Sequence, residues 1–300
     1  PMLLEQGHSL TLVSRSANPL PALTHPQLQR LQADPAQEAS WQRPDLQAAL
    51  AAAEAVVNLA GEPIAEKRWT PAHRQLLRDS RIHTTDALVA ALRALPDGQR
   101  PALLINGSAV GYYGTSADAR FEESSPAGDD ELGRLCSAWE AAARAAEPLC
   151  RVVILRIGIV LGADGGALGK MLPVFRLGFG GPIGSGRQWM SWISRRDLCR
   201  LISAALVDSA YGGTYNAVGP QPCTMASFSA ALGRCLGRPS LLPVPGPMLQ
   251  LLLGDGARVV LEGQQVFPSR LQQQGFRFDD GELSAALAAA TTAAPNPARR

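Results

Sequence analysis

The sequence predicts an α/β fold: a doubly wound parallel sheet with helices on both faces, followed by a smaller C-terminal substrate-side domain. Three observations point there. Strand-length apolar runs alternate with helix-like stretches through the first half of the chain, the pattern of parallel strands joined by crossover helices. Runs such as AEAVVNLAG, PALLINGSA and RVVILRIGIVLG are nearly continuous in apolar residues, as strands covered on both faces must be. Small and polar residues then follow the run ends, where doubly wound sheets meet their ligands.

Taken in order, PMLLEQG reads as the tail of a helix stopped at Gly7, and Ser9–Val13 as a short strand ending in Ser14 and Arg15. A Pro-rich connection (Asn18–Pro26) and a weakly patterned region to Pro44 follow. Ala53–Gly61 is a buried strand with a tight turn. Pro71–Leu95 is a long helix with Thr70 as N-cap and Pro71 at its first position, where no backbone donor is needed. Pro101–Ala109 is a strand, Asp129–Glu147 a helix and Arg151–Gly162 a third strong strand. Beyond Gly165, glycine and proline become dense through Gly178–Gln188. WMSWIS is strand-like, Arg196–Val207 helical, Thr214–Gly219 strand-like and Met225–Leu236 helical. Leu241–Leu287 mixes short helices and loops into a lid-like region. The expected division is a dinucleotide domain over 1–164, with 194–218 returning to it. Residues 165–193 and 219–290 make the substrate side, and 291–300 a disordered tail.

Composition narrows the function. A hydrophobic fraction of 46% fits a globular chain, and a net charge of +2 without a long basic run argues against a nucleic-acid surface. Five cysteines without CxxC spacing and four scattered histidines give no zinc pattern and point to a reducing, cytoplasmic setting. No apolar run approaches the length of a membrane span.

Four stretches carry chemistry. At the end of the first strand, Arg15 offers a guanidinium fork to a 2′-phosphate, where an acidic residue would hold the ribose of NAD; the alternative is a surface arginine in a turn. In NLAG, the stretch after Asn58 (Leu59, Ala60, Gly61) ends in small residues that let a cofactor lie against the backbone, or simply makes a β-turn. Arg81 in DSRIH, if it faces the sheet, needs an anion to offset its burial, and a pyrophosphate would serve; otherwise it is an exposed helical arginine. In INGSAVGYYG, the Ser108 hydroxyl can polarise a carbonyl, and the phenols of Tyr112 and Tyr113 can relay a proton, unless they are turn and packing residues. Arg187, beside Gln188 and after the flexible GPIGSG, would suit an anionic or sugar-like ligand. Asp197 is either a cleft residue or a helix cap. Trp189, Trp192, Phe276 and Phe278 are expected in the core.

The combination NLAGEPIAEKRW, GSAVGYYG, WEAAA, RIGIVLGADGGALGKMLPVFRLGFGGPIGSGRQ and GQQVFPSRL…GFRF resembles the atypical, extended short-chain dehydrogenase group of NAD-dependent epimerase/dehydratase-like proteins. The resemblance is to the SDR39U1-like type, with its C-terminal DUF1731 region, and it runs from about Leu3 to Leu287. The resemblance implies a Rossmann-like domain binding NADP(H). It implies adenosine-phosphate contacts at Ser14 and Arg15, contacts at Leu59 and Ala60, a pyrophosphate-side contact at Arg81 and one near the nicotinamide at Val160. It also implies either an oxidoreductase or epimerase acting on an unidentified small polar substrate, or a cofactor-binding regulator acting through protein partners, since plastid and cyanobacterial relatives are associated with cell division.

Two departures from the family pattern stand out. The first strand and the GGTGxIG-like loop that bind the pyrophosphate do not precede Pro1, so the start reads as truncated and NADPH binding by the sequence as written is expected to be weak or absent. The Tyr-x-x-x-Lys pair is also replaced: its two places fall at Leu132 and Cys136. Ser108 remains as the match to the serine of the usual triad.

Overall fold

The computed structural model describes residues 1–17 and 23–292. Residues 18–22 of the Pro-rich connection and the tail beyond Thr292 lie outside the described residues.

The chain opens with α1 (Met2–Glu5) and turns at Gly7, whose φ of 88° suits a residue without Cβ. β1 (Leu10–Ser14) then pairs in parallel with β2 (Leu28–Gln32). β2 has no counterpart in the sequence reading, because LQRLQ interleaves only two leucines with glutamines and an arginine. α2 (Glu38–Trp41) and α3 (Pro44–Ala51) lead to β3 (Ala55–Asn58). α4 (Pro71–Ala94) begins where its signals place it: Thr70 Oγ1 accepts the His73 N–H at 3.1 Å, and Pro71 takes the first position. β4 (Leu103–Ala109), β5 (Arg120–Phe121), α5 (Glu131–Arg144) and β6 (Arg151–Ile157) follow. Asp130 caps α5 by accepting the Gly133 N–H at 2.8 Å.

The run Arg151–Gly162, read as one strand, is two. At Gly158 a Cβ would stand 2.4 Å from the Ser191 carbonyl oxygen, so only glycine fits where the chain changes partners. β7 (Ile159–Leu161) leaves the sheet, and α6 (Gly166–Arg176), β8 (Trp189–Met190) and β9 (Trp192–Ser194) come next, with β7 and β9 paired in parallel. α7 (Arg195–Val207), β10 (Gly213–Ala217), β11 (Cys223–Thr224) and α8 (Met225–Leu236) precede the last third. There α9 (Gly246–Leu253), α10 (Arg258–Leu261), β12 (Gln265–Val266), α11 (Ser269–Gln273) and α12 (Leu283–Thr292) are short, as the sequence suggests.

Four parallel strands form the central sheet in the order β10-β6-β4-β3, while β1 and β2 form a separate parallel pair. Alternate residues of β4 and β6 serve opposite faces. Leu103, Ile105, Val153 and Leu155 pack under α7 and α11, whereas Leu104, Val152 and Ile154 pack under α4 and α5. Both faces are therefore covered, which explains the continuous apolar runs. Leu104 is fully buried, and its replacement by alanine costs about 2–5 kcal/mol. A second apolar cluster joins α6, α8 and α12 around Trp192, which is 1% exposed. Leu271 of α11 belongs to the core of the main sheet instead, with Phe276 and Phe278 packed against it.

Candidate functional site

The register of the central sheet aligns its C-terminal ends. Asn58 lies beside Asn106, Ser108 beside Arg156, and Ala217 beside Ile157. The stretches NLAG and NGSA therefore emerge side by side.

What shapes the NLAG turn is a buried polar network. Asn58 Nδ2 donates to Asn106 Oδ1 at 2.7 Å and to Thr85 Oγ1 of α4 at 3.1 Å, and Asn58 Oδ1 accepts the Ala60 N–H at 3.2 Å. Trp139 of α5 donates its indole N–H to the same Thr85 oxygen at 3.0 Å. Gly107 makes room for this: a Cβ there would come to 3.3 Å from the Trp139 ring and 3.4 Å from the Asn58 carbonyl. With every member hydrogen-bonded, such a network fixes geometry without leaving buried groups unpaired. It holds Leu59 half in solvent, at 51% exposure, beside the sheet edge.

Arg81 reaches this turn from α4. Its guanidinium donates to the Leu77 and Glu62 carbonyls at 3.0 Å each and lies over the Trp139 ring. It occupies the space a Cβ on Gly61 would need, 3.0 Å from Cζ, so this glycine makes way for an arginine. Burial pushes the Arg81 guanidinium below its ordinary pKa, and among the described residues it forms no ion pair. A half-buried cation held only by carbonyls is poised for an anion. Nearby, Lys67 Nζ lies 3.0 Å from the Glu62 carboxylate and holds it below the usual range, with Arg15 adding to the same effect. Arg15 itself is exposed at the end of β1, and its carbonyl accepts from Gln32; Ser14 Oγ accepts the Ser16 N–H at 3.1 Å. Arg15 (with Ser14 before it in the chain), Glu62, Gly61 and Arg81 are thus neighbours, between the β1–β2 pair and the edge strand β3.

Ser108 is 3% exposed, and its hydroxyl donates to Glu140 Oε1 of α5 at 2.8 Å. Glu140 is in turn clamped by Arg156 of β6, with Nε to Oε1 at 2.8 Å and Nη2 to Oε2 at 2.9 Å. Burial opposes the charge on Arg156, but the hydrogen bonds and charge of Glu140 outweigh it and raise the guanidinium pKa. Arg156 Nη1 also donates to the Tyr113 hydroxyl at 2.9 Å, and that hydroxyl donates to Asn216 Oδ1 at 2.6 Å. Tyr113 is 3% exposed, and burial pushes its phenol up to about 12. Of the two tyrosines, Tyr113 is thus turned into the core. Tyr112 is half-buried, with its ring over the Arg156 guanidinium, and its hydroxyl has no hydrogen-bond partner among the described residues.

Leu132, Cys136 and Glu140 follow one another at four-residue spacing, so they form one stripe of α5. Leu132 packs on Gly111, Cys136 meets the Ala109 backbone, and Glu140 reaches Ser108. Burial drives the Cys136 thiol up to about 12, which leaves it neutral.

The other candidates take no part in this hydrogen-bonded cluster among the described residues. Val160 is carried past the sheet on β7 and packs against the core that contains Ile193. Arg187 is exposed, while Gln188 is buried and donates to the Ile183 and Val260 carbonyls at 2.9 and 3.0 Å. Asp197 is neither a cap nor a cleft residue: Ser194 caps α7, and the Asp197 carboxylate accepts the Asp279 and Asp280 N–H groups at 2.8 and 2.9 Å. Sequence reasoning missed Asn58, Thr85, Asn106, Glu140, Arg156 and Asn216. The signal available was a set of polar residues inside otherwise apolar strands and helix faces.

Comparison with known proteins identifies the family. Residues 1–218 match the NAD dependent epimerase/dehydratase family, and residues 244–290 match a domain of unknown function, DUF1731. The chain is 45% identical over 243 residues to an Arabidopsis thaliana protein described as epimerase family protein SDR39U1 homolog, chloroplastic, covering 81% of this chain and 68% of that one. It is 40% identical over 292 residues to epimerase family protein SDR39U1 of Bos taurus, covering 95% and 92%. A crystal structure of human epimerase family protein SDR39U1 (isoform2) with NADPH superposes with a TM-score of 0.84 at 37% identity, covering 97% of this chain and 94% of that one. The chain belongs to the NAD dependent epimerase/dehydratase family.

Proposed function

We propose that this member of the epimerase/dehydratase family binds NADP(H) along the C-terminal edge of its strands and acts as an oxidoreductase or epimerase on a small polar substrate. The observation that carries the reading is the placement of two cations, Arg15 at the end of β1 and the carboxylate-free Arg81 against Gly61, on either side of the Glu62 loop. Arg15 would take the 2′-phosphate, and Arg81 the pyrophosphate side with the NLAG backbone. The human relative crystallised with NADPH supports the same choice of cofactor.

When bound, the cofactor supplies hydride transfer; the protein's part is to orient groups and manage protons. Ser108 has its hydrogen committed to Glu140, so its oxygen offers lone pairs and suits a substrate hydroxyl better than a carbonyl. Tyr112, with a free phenol over a guanidinium, is the proton carrier of this scheme, and Tyr113 holds Arg156 in place. The 165–193 and 219–290 segments form the substrate side, with Arg187 at its rim.

Calorimetric titration with NADPH and NADH tests the reading, on this chain and on one extended upstream by a strand and glycine loop. NADPH preference that disappears in Arg15→Ala supports it; equal affinities sink the Arg15 assignment, and no binding by either chain sinks the cofactor reading. A second reading, a cofactor-binding regulator that acts through protein partners, draws on Leu132 and Cys136 standing where a Tyr-Lys pair would act. It predicts NADPH binding without turnover over any panel of sugar nucleotides, hydroxy acids or ketones.

A further inference from the structure

Eleven large apolar side chains are exposed among the described residues, and eight of them fall in 174–179 and 241–252. These two stretches are neighbours: Gly180 bridges Ser240, Ile183 bridges Val244, and the Leu242 N–H donates to the Gly180 carbonyl at 3.2 Å. Leu177 (72%), Phe179 (61%) and Leu241 (79%) therefore open on one side of the C-terminal region, continued by Met248, Leu251 (74%) and Leu252 on α9. α9 reads GPMLQLLL and buries none of its residues, so it stands out from the surface instead of lining a groove. Its backbone is anchored through the Leu253 carbonyl, which accepts the Trp69 N–H at 3.2 Å.

Arginines dominate the charges around this patch, and the acidic Asp255 that follows α9 is paired to Arg74. Residues 165–193 and 219–254 contain Lys170, Arg176, Arg187, Arg234 and Arg238, and no Asp or Glu. Lys170 pairs with Glu66, but the four arginines are exposed and form no ion pair among the described residues. A patch this concentrated on a monomer marks an interaction surface. We propose that it is a peripheral membrane-docking face, which places the α9 and 174–179 side chains among the headgroups of an anionic bilayer. Its basic rim repels a second copy of itself, and its raised apolar helix offers no groove for a partner helix. Apolar side chains flanked by arginines are what an anionic lipid surface retains. No helix among the described residues is long and apolar enough to span a membrane, so the attachment is interfacial.

The test is flotation of the full chain with vesicles of phosphatidylcholine alone, or of phosphatidylcholine mixed with phosphatidylglycerol. Binding is expected only with the anionic lipid and weakens as salt rises. Arg234→Glu and Arg238→Glu should each lower partitioning at least roughly fivefold. Leu251→Asp with Leu252→Asp should lower it roughly tenfold or more, with unchanged circular dichroism because both side chains are exposed. As an independent readout, Leu251→Trp should show blue-shifted emission on anionic vesicles. No partitioning, equal partitioning on both lipids, indifference to the leucine variants, or a concentration-dependent dimer abolished by those variants would each overturn the proposal.

Discussion

Replacing Arg156 with methionine tests the heart of the candidate site. The guanidinium makes four hydrogen bonds: two to Glu140 at 2.8 and 2.9 Å, one to Tyr113 at 2.9 Å and one to the Glu123 carbonyl at 3.2 Å. Both side chains of the pair are 3% exposed, so water cannot replace what is lost. Methionine fills similar volume but leaves the Glu140 carboxylate with Ser108 and one contact from Arg144, at 3.2 Å. Breaking a buried pair from one side costs about 3–5 kcal/mol, much of it for the orphaned charge. That should lower the urea midpoint by roughly 1–2 M. The double variant Arg156→Met, Glu140→Gln should regain part of the loss, because no buried charge is stranded. A deficit under about 1 kcal/mol, or a double variant no more stable than Arg156→Met, would show a solvated pair and refute the reasoning.

Alkali should destabilise the fold through groups that burial keeps neutral. Cys136 and Cys223 are pushed from 9.0 up to about 12, and Tyr113 from 10.0 up to about 12. Their stabilisation is complete below the unfolded values and lost as pH rises to 12. Each group then gives a slope of about 1.4 kcal/mol per pH unit, readable in thermal melts across that window. Flat stability across it would contradict their burial. Gly158→Ala should cost several kcal/mol and lower the melting temperature, since its Cβ would meet the Ser191 carbonyl backbone at 2.4 Å; a neutral result would place the strand break elsewhere. Arg81→Met should weaken NADPH at least roughly tenfold in titration while changing stability little, the loss of one charge-assisted contact; unchanged affinity would remove Arg81 from the cofactor site.

The central sheet was legible because strands covered on both faces cannot hide their apolar runs, and because Thr70-Pro71 marks a helix start by local chemistry. β2 was not legible, since the five residues LQRLQ place Gln29 and Arg30 side by side and so break the period-two alternation of a strand. The break at Gly158 depends on the Ser191 carbonyl, 33 positions away in the chain, which no local pattern encodes. At the site, Ser108 stood out by its position after a strand, but Glu140 looked like an ordinary helical glutamate. Its role arises from one turn of α5 beyond Cys136 and from an arginine on another strand. Arg81 was legible as a cation wanting a partner, whereas the reason for Gly61 beside it was not.

The separation of β1–β2 from the four-stranded sheet divides the candidate site between two pieces of unequal resilience. Arg15 rides on the pair, while Ser108 and the NLAG turn ride on the larger sheet. β4 and β6 have neighbours on both sides, so their amides should exchange hydrogen only when the whole molecule opens; those of the pair should exchange through smaller, more frequent openings. A dinucleotide touching both Arg15 and Arg81 would then act as a rivet. Its binding should slow exchange in β1 and β2 by closing the smaller openings that part Arg15 from Arg81, and should slow β4 and β6 by as large a factor, since global opening releases the ligand as well.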